Sequence, residues 1–141
     1  MRLGLLGGSF NPIHRCHLSI ARSARQLLQL DRVLFIPTGD PPHKQPGTLA
    51  AASHRHRMVQ LAIQDTPEFA LTDIEIQRSG KSYSIDTVRA IQQEYGPDTV
   101  LFFIIGLDAF LDLPSWKEAD TLLKSCHFVV ISRPSTSFQA M

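Results

Sequence analysis

The sequence predicts an α/β fold built on a doubly wound, Rossmann-like parallel sheet with helices on both faces. Three observations predict it. Apolar runs of strand length alternate with segments of helical periodicity along the chain. The run at 100–105, VLFFII, is apolar throughout, as suits a central strand covered on both sides. Gly7-Gly8, Gly39 and Gly106 each follow an apolar run, which sets three tight exits along one edge, where ligands of open α/β sheets bind.

The elements follow in order. Residues 2–6 read as a short buried strand ended by the glycine pair. Leu18, Ala21, Ala24 and Leu28 then fall at helical spacing, with Arg22 and Arg25 between them. Residues 32–37, RVLFIP, form a second strand stopped by Pro37 and Gly39, and 38–49 is a loop by its prolines. Ser53 is placed to cap a helix whose apolar face uses Met58, Leu61 and Ala62. Residues 69–76 alternate as a strand, with a phase slip at Asp73. Ser84 begins a helix with Ile85, Val88 and Ile91 on one side, closed by Gly96-Pro97. After the 100–105 strand, 117–124 is helical and 127–132, HFVVIS, is a last strand. Connections of these lengths permit right-handed crossovers.

Bulk properties narrow the function classes. The 141 residues form one domain, and 43% hydrophobic with 19% charged residues is ordinary for a globular protein. Fourteen basic residues against thirteen acidic ones give a net charge of +1, which offers no footprint for nucleic acid or an acidic membrane. A small ligand in a local pocket fits better, and a homo-oligomer is compatible with the composition. Cys16 and Cys126 are too few for a disulfide framework. The start MRLGLLGG is neither a secretory signal nor a span of about 20 apolar residues, so a cytoplasmic location is expected.

Chemistry concentrates at residues 7–17, GGSFNPIHRCH. Gly7 and Gly8 permit a tight turn and close approach of a ligand, and the following helix can aim its N–H groups and positive dipole end at a phosphate. A glycine pair alone is weak evidence, and the dinucleotide fingerprint GxGxxG is absent. His14 and His17 sharpen it, because imidazoles at a helix start can donate to anionic oxygens. Reaction at phosphorus asks mainly for positioning and charge stabilisation.

This segment resembles the GG-[ST]-F-[DN]-P-x-H-x-G-H signature of the nucleotidyltransferase superfamily. The likeness continues in order through Pro41-Pro42-His43-Lys44, Ser82-Tyr83-Ser84-Ile85-Asp86-Thr87, Gly106-Leu107-Asp108, Trp116 and Ser132-Arg133-Pro134. That set is similar to the bacterial nicotinate mononucleotide adenylyltransferases and covers nearly the whole chain. The resemblance implies transfer of AMP from ATP to nicotinate mononucleotide, with pyrophosphate released and Mg²⁺ accompanying ATP. It assigns His14, His17 and Lys44 to the catalytic set. Gly7, Gly8, Ser9, Phe10, His14, His17, Gly106, Asp108 and Arg133 would bind ATP. Ser9, Lys44, Tyr83, Ser84 and Trp116 would bind the acceptor, with Trp116 stacking on the pyridine ring and the Tyr83-Ser84 step reading its carboxylate. No protein metal ligands are assigned.

The proposed chemistry is consistent with these residue types. A phosphate monoester has a second pKa of about 6 and is mostly dianionic at neutral pH, so no general base is needed. Alignment and electrostatics then carry the reaction. Two departures stand out. Cys16 occupies a position where the family has Gly: a helical φ there would tolerate the small side chain, and a strained φ would weaken ATP binding. Beyond Ser132-Arg133-Pro134 only STSFQAM follows, without the family's I-S-x-T-x-[IV]-R motif, so the domain is expected to lack the family's C-terminal subdomain.

Plainer readings of the same residues stand beside these. His14, Cys16 and His17 could bind zinc, but four-ligand spacing is missing. His54 and His56, beside Arg55 and Arg57, read as a solvated helix start. Trp116 alone would be core packing, Asp108 alone a helix cap, and Ser84 a cap that could also read a carboxylate. Phe102 and Phe103 are assigned to the core. Competing functions are another adenylyl- or cytidylyltransferase, such as phosphopantetheine adenylyltransferase, and a non-catalytic mononucleotide-binding domain. Turnover with different acceptors separates the first, and binding without product the second.

Overall fold

The computed structural model describes residues 1–39, 51–78 and 82–132. Within them, five strands form one all-parallel sheet: β1 (Arg2–Gly8), β2 (Arg32–Pro37), β3 (Phe69–Leu71), β4 (Val100–Gly106) and β5 (His127–Ile131). Their spatial order is β3-β2-β1-β4-β5, so the chain winds outward from β1 on one side and then restarts on the other. The switch lies between β1 and β4, and ligands of such sheets bind at the carboxyl ends of the strands there. The helices are α1 (Arg15–Leu28), α2 (Ala52–Ile63), α3 (Ile74–Gln77), α4 (Ser84–Tyr95), α5 (Leu107–Leu111) and α6 (Ala119–Ser125), with a 3-10 turn at Leu113–Ser115.

Alternation along the strands divides the core in two. Val33 and Phe35 of β2 and Phe102 and Ile104 of β4 face Ala21 and Ala24 of α1 and Val59 and Ile63 of α2. Leu3 and Leu5 of β1, with Leu34, Ile36 and Leu101, face Ile85, Val88 and Ile91 of α4 and Leu122 of α6. Helices on both faces are thus held by the period of two in the strands.

Several expected elements differ in detail. The 69–76 alternation is a three-residue strand followed by the short helix α3, because the slip at Asp73 breaks the period of two. The α2 N-cap is Ala51 with no side-chain cap, not Ser53. The buried face of α2 is Ala52, Arg55, Val59 and Ile63, while Leu61 is exposed and Met58 only half-buried. The helix therefore sits about a third of a turn from the expected phase, with Arg55 on its buried face. Ser84 is the first residue of α4, but Tyr83 is its N-cap, without a side-chain cap bond. At the other end Gly96 has φ +96°, a conformation for which glycine is the natural residue. Among the described residues no helix is long and apolar enough to cross a membrane.

Candidate functional site

The ends of β1 and β4 open into a cleft of about 450 Å³. Gly7 and Gly8 form one rim and Gly106 another, in register across the sheet through the Leu6↔Ile104 pairing. The far wall carries Ser84, Thr87, Phe103 and Trp116, and Glu75 and Thr38 contribute from the β3 side. A smaller cavity of about 360 Å³ adjoins it, lined by Ser82, Tyr83, Ser84, Trp116 and Lys117 among others. Ser84 and Trp116 line both. Lys117 Nζ lies 4.6 Å over the Tyr83 ring and 3.5 Å from an Asp86 carboxylate oxygen, so a cation borders this cavity.

The turn from β1 into α1 is built by backbone constraints. The Thr38 N–H donates to the Gly8 carbonyl at 2.9 Å, extending the β1–β2 pairing past Pro37. Phe10 adopts φ +48° and buries its ring, 2% exposed, edge-on to His17 with centroids 4.9 Å apart. A buried aromatic in a left-handed conformation costs on the order of 1–3 kcal/mol and persists only where packing over-determines it. Phe10 therefore acts as a wedge beneath His17, its ring in the core and not on the lining of the cleft.

His14 and His17 cap α1 reciprocally. His14 is the N-cap, and its Nδ1 accepts from the Cys16 N–H at 3.2 Å, while the His14 N–H donates to His17 Nδ1 at 3.1 Å. Acceptance at Nδ1 leaves Nε2 of each ring as the nitrogen that can donate an N–H, and in His17 this corresponds to the neutral form of the imidazole. Burial, then the neighbouring His14, lowers the His17 pKa below its usual 6.5, which favours this neutral form. The free first-turn amides expected from the sequence are corrected here: the Cys16 N–H serves His14, and the His17 N–H donates to the His14 carbonyl at 3.1 Å.

Cys16 is exposed in the first turn of α1 and is not among the residues with positive φ. The strained alternative for a Cβ at this glycine position does not arise. Asp108 lies exposed in the first turn of α5, whose N-cap is Gly106, so it is not the cap. The structure thus brings Gly7, Gly8, Gly106, Ser84 and Trp116 to one cleft, with Tyr83 in the adjoining cavity. Ser9, His14 and His17 follow directly on the β1 rim but do not line the cleft. The expected roles of Lys44 and Arg133 fall outside the described residues.

Two polar clusters escaped the sequence reading. The first is Arg55, fully buried, whose Nη1 donates to the Ser9 and Thr38 carbonyls, each at 2.8 Å. The expected solvated face holds for His54 and Arg57, which are exposed, whereas His56 is half-buried and Arg55 fully buried. Its signal was the spacing Ala52, Arg55, Val59, Ile63, which puts a cation on the apolar stripe. The second joins Glu75, Thr87 and Arg78. The Thr87 hydroxyl donates to Glu75 Oε2 at 2.8 Å and accepts from Arg78 Nη1 at 3.0 Å. Burial raises the Glu75 pKa, opposed by the Thr87 hydrogen bond and the Arg78 charge. Gly39 makes room for this cluster, since a Cβ there would meet the Glu75 carbonyl at 2.8 Å. Phe103, assigned to the core, also faces the cleft, with its ring centroid 6.4 Å from that of Trp116.

Comparison with known proteins adds three findings. Residues 5–141 match the cytidylyltransferase-like family. A Citrifermentans bemidjiense protein named "Probable nicotinate-nucleotide adenylyltransferase" is 49% identical over 142 residues, covering 100% of this chain and 65% of that protein. A Pelobacter propionicus protein of the same name is 50% identical over 134 residues, covering 95% of this chain and 62% of its own length. The chain thus spans less than two thirds of these curated relatives. In fold it is similar to the Plasmodium falciparum nicotinic acid mononucleotide adenylyltransferase complexed with NaAD, with a TM-score of 0.74 at 21% identity, covering 97% of this chain and 77% of that one.

Proposed function

The chain belongs to the cytidylyltransferase-like family, and from that premise we propose that it transfers AMP from ATP to nicotinate mononucleotide. One observation carries the reading. The cleft at the β1/β4 switch joins a phosphate-compatible rim (Gly7, Gly8, Gly106) to an aromatic wall at Trp116 and the start of α4 at Ser84. A triphosphate suits the first and a pyridine carboxylate the second. The names of the similar proteins support the same acceptor.

In the proposed reaction an oxygen of the acceptor 5′-phosphate attacks the α-phosphorus of ATP. A new P–O bond forms as the bond from that phosphorus to the β-bridging oxygen breaks, and pyrophosphate leaves with the electron pair. The Nε2–H groups of His14 and His17 donate to phosphate oxygens, stabilising charge without moving a proton. Ser9 meets ATP and acceptor at the β1 turn, the Phe10 backbone belongs to the same turn, and the Asp108 carboxylate accepts from ribose hydroxyls. Trp116 stacks on the pyridine ring. Tyr83 and Ser84 read the carboxylate, which accepts from N–H groups where an amide would present its own donors. Lys44 and Arg133 are proposed to neutralise phosphate and approach adenosine.

Among the described residues no three metal-capable side chains gather. Mg²⁺ would arrive on the triphosphate, because this ion keeps several waters and needs few protein ligands. When bound it would neutralise phosphate charge. The test is pyrophosphate release from ATP with nicotinate mononucleotide, its amide analogue and pantetheine phosphate as acceptors. Turnover with the first is expected. Turnover with pantetheine phosphate and none with nicotinate mononucleotide would overturn the assignment.

A further inference from the structure

We infer that Arg55 is a positioning residue for the ATP side of the cleft, acting through the backbone of the phosphate turn. The inference rests on the adenylyl-transfer reading above. Arg55 reaches from α2, on one face of the sheet, to two carbonyls that belong to different exits. Its Nη1 donates to the Ser9 carbonyl at 2.8 Å, to the Thr38 carbonyl at 2.8 Å, and lies 3.5 Å from Thr38 Oγ1. Ser9 is the first residue after β1, and Thr38 the first after β2. One guanidinium nitrogen therefore fixes the separation of the two strand exits beside the Gly7-Gly8 rim of the cleft.

Core packing alone does not call for this residue. Position 55 lies on the same stripe as Ala52, Val59 and Ile63, where an aliphatic side chain would fill the space without the desolvation cost of a charge. A guanidinium there supplies what an aliphatic group cannot: directed donors for two carbonyl groups. The turn it grips runs through Ser9 into Phe10 and then to the His14–His17 cap, so the placement of Ser9 propagates to both imidazoles. Thr38 is also tied to Gly8 by its own N–H, which closes a small ring of bonds around the rim. Displacement of reacting groups by about 1 Å can cost on the order of 100-fold in rate.

The test compares Arg55→Lys and Arg55→Met with Val59→Ala. Arg55→Met keeps a buried stem should the lysine variant fail to fold, and Val59, one turn along the same buried face, is a control for loosened packing. Binding of ATP is measured by calorimetry, and binding of nicotinate mononucleotide by quenching of Trp116, the single tryptophan. Either Arg55 variant is expected to raise the ATP dissociation constant about tenfold and lower kcat about 100-fold, with acceptor quenching unchanged. Val59→Ala is expected to lower the melting temperature and leave the ATP dissociation constant alone. Equal loss of ATP binding in Val59→Ala, or equal loss of both ligands in the Arg55 variants, would overturn the positioning role alone. A wild-type protein that binds neither ligand would overturn the adenylyl-transfer reading and this inference with it.

Discussion

Replacing Thr87 with valine removes one hydroxyl and nearly preserves shape, so its effect isolates the Glu75–Thr87–Arg78 cluster. Thr87 is 3% exposed, and both its bonds go to charged groups. Hydrogen bonds to charged partners contribute about 1.5–3 kcal/mol each. Arg78 is only partly buried and can recover water by rotating outward, so its bond counts for little. Glu75 is likewise half-buried, but burial raises its pKa, so its anion depends more on the Thr87 hydrogen bond. The expected destabilisation at pH 8 is therefore about 2–3 kcal/mol rather than twice that.

The pH dependence follows from the same geometry. A carboxyl whose folded pKa lies above the ordinary 4.5 weakens folding as pH rises through the window between the two values. The Thr87 hydroxyl holds that pKa down, so Thr87→Val raises it further and widens the window. The penalty of the substitution should thus be largest above the raised pKa and shrink as pH falls toward 4.5. Urea unfolding followed by circular dichroism at several pH values measures this, with a midpoint shift of about 1 M or more at pH 8. A shift below about 0.5 kcal/mol, or one that is the same at pH 5 and pH 8, would refute the argument.

Two further outcomes follow from the helix cap and the thiols. Because the folded His17 pKa is depressed, the unfolded chain binds more protons just below pH 6.5, and stability should fall as pH drops through that window. His17→Gln, which can still accept the cap bond but does not titrate there, should flatten this part of the melting-temperature profile, and a persisting slope would place its origin elsewhere. Burial pushes the Cys126 thiol up to about 11, while Cys16 is exposed. Iodoacetamide at pH 8 should therefore mark Cys16 in the native protein and Cys126 only after unfolding, with peptide mass mapping as the readout. Equal native labelling of both would contradict the burial of Cys126.

Strand alternation and turn chemistry made the sheet legible in the sequence. Residues 32–37 and 100–105 could be placed because their apolar runs end in punctuating glycine or proline. The short elements were not legible. α3 carries Ile74 and Ile76 at strand spacing, and only its position after Asp73 turns them into a helix. α5 and the 3-10 turn are too short for periodicity to register. At the site, the glycines and histidines of residues 7–17 marked a tight turn from a strand into a helix. Arg55 did not announce itself, since a basic residue between His54 and His56 carries no mark of the strand exits it will bridge. Glu75 was hidden likewise, because its hydrogen-bond partner Thr87 lies on α4, another segment of the chain.

The reciprocal histidine cap has a consequence for thermal behaviour. Helices open first at their ends, well below the temperature at which a sheet melts. In most helices such fraying is silent, because the loosened turn has no other duty. Here the two imidazoles that close the first turn of α1 are also the groups proposed to grip phosphate. Fraying and loss of grip are therefore one event, and a bound triphosphate acts as a clasp on the helix start. On the proposed function, ATP binding would then be lost with the first turn of α1, a few residues long, before the five-stranded core melts.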